Sequence, residues 1–109
     1  MPMPRKRLTA DTTPTLAAER LRQWGAVVRQ QRLRQKIRCR DLALRIDVSE
    51  QTLQRIEAGD PGVQAASYLG ALLAVGVFDV LLPPAPADLL AAVATAQRVR
   101  LGKGDDDVF

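Results

Sequence analysis

The sequence contains no histidine, one cysteine and four aromatic residues. Each shortage removes a class of function. Without histidine, the commonest metal ligand and the commonest general base are both missing. A lone cysteine, Cys39, cannot close an intramolecular disulfide and cannot build a thiolate metal site with a second cysteine. No glycine-rich phosphate loop interrupts the chain, so nucleotide chemistry has no cradle. Together these absences point away from an enzyme, with neither catalytic residues nor a cofactor or metal expected. Long hydrophobic runs are also missing: charges or prolines break every apolar stretch, and no membrane span is expected. The first residues, MPMPRKRLTADTTPT, are basic but lack an apolar core segment, so they do not read as a signal peptide. The expected compartment is the cytoplasm. There are no internal repeats and no strand-length alternation of apolar and polar residues.

What is present suits helices. The apolar share comes from Ala, Leu and Val. The net charge of +4 hides an uneven distribution. Residues 1–45 hold twelve basic and three acidic residues, a balance of +9; the remainder holds four and nine, a balance of −5. A basic half beside an acidic half suggests that one face meets a polyanion. For Arg20 and Arg22 a solvated helix surface is explanation enough.

The most informative stretch is 39–59, CRDLALRIDVSEQTLQRIEAG. Leu42, Ala43 and Ile46 fall on one face of a first helix, and Leu53 and Ile56 on one face of a second. Between them Asp47 tolerates left-handed backbone angles, Val48 plugs the gap, and Ser49 can cap the second helix. Gly59 supplies the positive φ that a helix end often needs. Ala43 is small where the two helices should touch. The pattern predicts a helix-turn-helix whose second helix is a recognition helix.

Around it, residues 1–13 read as a flexible basic arm. A helix is expected over 14–36, with Thr13 as its cap, Pro14 in its first turn, and Leu21, Trp24 and Val28 inward. Trp24 reads as a core anchor rather than a binding aromatic. Gly25 costs about 1 kcal/mol against alanine inside a helix, so it marks either close packing or a bend. The cluster Gly59-Asp60-Pro61-Gly62 is a turn. A helix over 64–75 should turn Tyr68, Leu69, Leu72 and Leu73 inward and stop at Gly76. A short helix over 78–82 completes a domain spanning 14–82. Residues 83–100 form a proline-rich linker and a last helix over 87–99, and 101–109 an acidic tail without expected order. In that tail Phe109 offers an anchor for a partner's pocket and Asp105, Asp106 and Asp107 a charge for its basic rim; a purely solubilising tail is the alternative.

From Leu21 to about Leu82 the chain resembles the Xre, or lambda-repressor-like, helix-turn-helix family. The matching residues are Leu42-Ala43, Val48-Ser49, Thr52-Leu53, Arg55-Ile56-Glu57 and Gly59. The resemblance implies an all-α bundle of about five helices, here with an extra C-terminal helix, that binds a pseudo-palindromic operator in double-stranded DNA as a homodimer. A narrower similarity is to HipB-like antitoxins, DNA-binding partners of HipA-type kinase toxins. It rests on the run Ile56-Glu57-Ala58-Gly59-Asp60-Pro61-Gly62, on the Ala-Leu-Val helix after it, and on the closing RVRLGKGDDDVF.

Carried over residue by residue, the base-reading positions fall on Glu50, Gln51 and Arg55. Gln can bond adenine twice, Arg can grip guanine O6 and N7, and Glu can accept from cytosine N4. Ser49, Thr52 and Gln54 match positions that touch phosphates or the groove edge. Arg32 and Glu57 match a buried ion pair. The chain departs from the family where a Thr-Gln pair usually opens helix two: Arg38-Cys39 stand there, leaving Arg38 and Arg40 to meet the DNA backbone. Asp60 makes a usually basic loop acidic, which lowers the expected affinity. The resulting expectation is an autoregulating antitoxin. The alternatives are a stand-alone or phage-type repressor and, from another class, a protein-bridging module that does not bind DNA.

Overall fold

The structure is a computed structural model that describes residues 12–103, with side chains through Val99. The arm over 1–11 and the tail residues Asp105, Asp106, Asp107 and Phe109 lie outside the described residues. Among those described, all regular structure is helical: α1 Thr15–Arg34, α2 Cys39–Arg45, α3 Glu50–Glu57, α4 Ala65–Ala74, α5 Phe78–Leu81 and α6 Ala87–Lys103. None of these helices is long and apolar enough to cross a membrane.

The first four helices end by one device. After each, a residue takes a left-handed conformation: Lys36 (φ 57°), Asp47 (φ 59°), Gly59 (φ 78°) and Gly76 (φ 87°). The next amide then donates back into the helix, as from Ile37 to Arg32, Val48 to Ala43, Asp60 to Arg55 and Val77 to Leu72, each at 3.0 Å. These are Schellman ends, which satisfy carbonyls that the helix leaves open. Asp47, Gly59 and Gly76 are the expected stops. Lys36 is an unexpected one, because lysine carries no turn signal.

α1, α2, α3 and α4 close around one core of Val28, Leu42, Ala43, Leu53, Ile56, Tyr68, Ala71, Leu72 and Val75. Leu21, Trp24, Ile46, Val48, Phe78 and Leu81 pack against its edge. Gly25 serves close packing: a Cβ there would strike the Ile56 carbonyl oxygen and lie 2.7 Å from that of Glu57. α1 and the end of α3 thus meet backbone to backbone, an approach only glycine allows. Gly59 packs the same way from the other partner, with Arg22 Cα only 2.7 Å from where its Cβ would sit.

Three expectations need correction. α1 is capped by Pro14, with no side-chain cap, and Thr13 is buried rather than part of a loose arm. Leu73 is 66% exposed instead of inward, because Ala71 and Leu72 take the inner positions of α4. α6 runs to Lys103, into the stretch expected to lack order, and every side chain from Pro83 to Val99 is exposed.

Candidate nucleic-acid interface

The candidate site is α3 and the residues that frame it. Ser49 stands in extended conformation before the helix and its Oγ accepts from the Thr52 amide at 3.0 Å. The same Oγ donates to Thr52 Oγ1 at 3.0 Å. This cap fixes where α3 begins and satisfies one of its open N–H groups. Glu50 follows in the first turn, where a carboxylate suits the helix dipole. Leu53 and Ile56 are fully buried, which pins the helix's rotation about its axis. The opposite face carries Glu50, Gln51, Gln54 and Ala58, all exposed. Thr52 and Arg55, three residues apart, sit half-buried along one flank.

Two ion pairs hold this helix, one at each side. Arg32 grips Glu57 with two bonds, Nε to Oε2 at 2.7 Å and Nη2 to Oε1 at 3.1 Å, and its Nη1 donates to the Ile37 carbonyl at 3.1 Å. With side chains only 12% and 8% exposed, the pair is largely shielded from water. The hydrogen bonds to Glu57 raise the guanidinium pKa despite the opposing effect of burial, so Arg32 stays charged. It ties the end of α1 to the end of α3 and also holds the chain entering α2. The second pair is looser: Arg55 Nε donates to Asp60 Oδ2 at 2.8 Å, with side chains 32% and 34% exposed.

Asp60, expected as a turn residue and an unfavourable charge, is a junction of several hydrogen bonds. Its Oδ1 accepts from the Gly62 amide at 2.7 Å, and its carbonyl accepts from the Tyr68 hydroxyl at 2.7 Å. Tyr68 in turn stacks at a tilt against Trp24, ring centroids 6.2 Å apart. The signals were present: Asp before Pro-Gly favours an Asx turn, and a buried tyrosine hydroxyl needs an acceptor. Burial pushes the Tyr68 hydroxyl far above its usual range, and the Asp60 charge adds to that.

The basic residues expected to meet a backbone lie just before α2 and in its first turn. Arg38 precedes α2 in extended conformation, and Arg40 lies in that turn; both are exposed. Gln54 lies on the outer face of α3, beside Gln51. Cys39 is half-buried between these arginines, and burial pushes its thiol pKa up. A raised thiol pKa makes a poor nucleophile, consistent with packing rather than reaction. No group of three or more His, Cys, Asp or Glu among the described residues could hold a metal ion.

No family model matches the chain, and no curated protein or solved structure matches it.

Proposed function

We propose that this protein is a sequence-specific DNA-binding repressor. α2 and α3 form its helix-turn-helix, within a lambda-repressor-like bundle to which α6 is added. The observation that carries this reading is α3 itself. Its rotation is fixed by Leu53 and Ile56, its start by Ser49, and it turns Glu50, Gln51 and Gln54 outward with Arg55 on the flank. A rigid helix showing amide and guanidinium groups is what major-groove reading requires. Arg38 and Arg40 supply positive charge for phosphates on the adjacent helix.

The operator is a pseudo-palindrome bound by a homodimer. Leu89, Leu90 and Val93 of α6 and Val80 of α5 stand exposed, and burying each such side chain is worth about 1.5–3 kcal/mol. A second copy covering them would pair two recognition helices. Light scattering on a chain truncated after Pro84 tests this: a monomer is expected, and an unchanged dimer would refute it.

The narrower role is antitoxin of a toxin–antitoxin operon, working in the cytoplasm, repressing its own promoter and binding a HipA-like kinase toxin. The similarity of the 56–62 run to HipB-like antitoxins supports it. A gel shift on the chain's own promoter tests the DNA reading. Retardation is expected at concentrations that leave an unrelated duplex free. Equal retardation of both, or of neither, would overturn sequence-specific repression.

A further inference from the structure

We infer that Asp60 is a specificity-determining residue: it holds Arg55 by its Nε edge so that the terminal Nη pair reads a guanine. The inference rests on the DNA-binding role proposed for α3. It turns the acidic loop from an obstacle into part of the reading head.

A guanidinium presents its five N–H groups in a fixed fork. Here a carboxylate takes the Nε side, at 2.8 Å. Among the described residues no hydrogen bond from either Nη of Arg55 is formed, and about a third of the side chain stays exposed. The two Nη groups match guanine O6 and N7, the pairing for which arginine is best suited. A free arginine must lose much rotamer freedom to make that contact, whereas one already held loses less.

The bracket that holds it is itself held. The Asp60 amide donates to the Arg55 carbonyl at 3.0 Å. Its Oδ1 accepts from Gly62, and its carbonyl accepts from Tyr68, which rests on Trp24 of α1. A carboxylate needed only to neutralise charge would not require fixing at backbone and side chain alike. Fixing at both is what positioning requires.

The test uses the full chain and duplexes selected by the wild-type protein from a randomised pool. Affinity is measured by fluorescence anisotropy for the selected duplex and for single base-pair changes in it. Arg55→Ala should erase preference at one G·C pair. Asp60→Asn keeps an acceptor for the Gly62 amide but loses the charge. It should weaken binding to the selected duplex about tenfold, with the loss confined to that same pair. The double variant should be no worse than Arg55→Ala alone. Arg55→Lys keeps the charge but not the planar fork, and should lose the G·C preference. Melting curves of each variant identify any loss that comes from unfolding. Uniformly tighter binding by Asp60→Asn with the preference intact would overturn the inference, since Asp60 would then only repel phosphates. So would a lost preference at a different pair. A wild-type chain that enriches no duplex from the pool would overturn the DNA-binding role itself, and this inference with it.

Discussion

α4 and α6 are written in nearly the same letters. α4 is AASYLGALLA, and α6 opens ADLLAAVATAQRV. Both space their apolar residues for one helical face: Tyr68, Ala71, Leu72 and Val75 in and just after the first, and Leu89, Leu90, Val93 and Ala96 in the second. Yet the α4 face is buried, and the α6 side chains described are all exposed. α4 is fastened at both ends. Near its start the Tyr68 hydroxyl reaches the Asp60 carbonyl, and at its end Gln35 Nε2 donates to the Val75 carbonyl at 2.9 Å. α6 follows Pro83, Pro84 and Pro86, which favour extended backbone and discourage a tight return onto the bundle. An apolar face announces that a helix wants a partner. It does not say which one.

Leucine truncation gives the largest contrast. Leu72→Ala should cost about 2–5 kcal/mol of stability, because a fully buried side chain leaves a cavity. Leu90→Ala should change the stability of the dilute monomer by no more than about 0.5 kcal/mol. Urea unfolding measures both. Equal losses would mean that α6 is covered within the monomer, and the contrast would vanish.

Next in size is the fastening at the start of α4. Tyr68→Phe should cost about 0.5–1.5 kcal/mol for the lost hydrogen bond. The effect has a pH signature. The folded chain holds the Tyr68 proton more tightly than the unfolded chain does, because burial raises its pKa above the usual 10.0. Its contribution is whole below about pH 10 and declines as pH rises past that toward the folded value. Cys39, raised from 9.0, acts in the same direction. Thermal melts between pH 8 and 11 should therefore show stability falling toward the alkaline end, and less steeply in Tyr68→Phe. An identical fall in the variant would remove Tyr68 as its cause.

Gln35→Ala sharpens the other end of α4. The lost bond to the Val75 carbonyl should lower stability by about 0.5–1 kcal/mol, the lower part of the usual range because Gln35 is exposed to water. Hydrogen exchange should show the effect concentrated in the last turn of α4, with α6 amides unchanged. A uniform change across both helices would contradict the separation of the two regions.

The turn between α2 and α3 was legible because its residues act locally. Asp47 accepts positive φ, Ser49 reaches an amide three residues on, and Gly59 closes the helix, each from its own chemistry. The helical outline and most of the core followed from spacing for the same reason. Leu73 misled because its size suggested burial; the i, i+3, i+4, i+7 spacing from Tyr68 selects Ala71, Leu72 and Val75 and leaves Leu73 outside. Lys36 misled because its left-handed turn is stabilised by bonds to α1 rather than by anything particular to lysine.

The sequence by itself determined that this chain is helical, where most helices start and stop, and which face of α3 turns outward. Those are properties of neighbouring residues, set by periodicity and capping within a few turns. Only the tertiary structure decided that Gly25 admits the end of α3, and that Tyr68, Gly62 and Arg55 converge on Asp60. It also decided that α6 stands uncovered. These depend on distances between segments far apart in the chain, where packing and hydrogen bonding choose among several arrangements that local preference leaves equal.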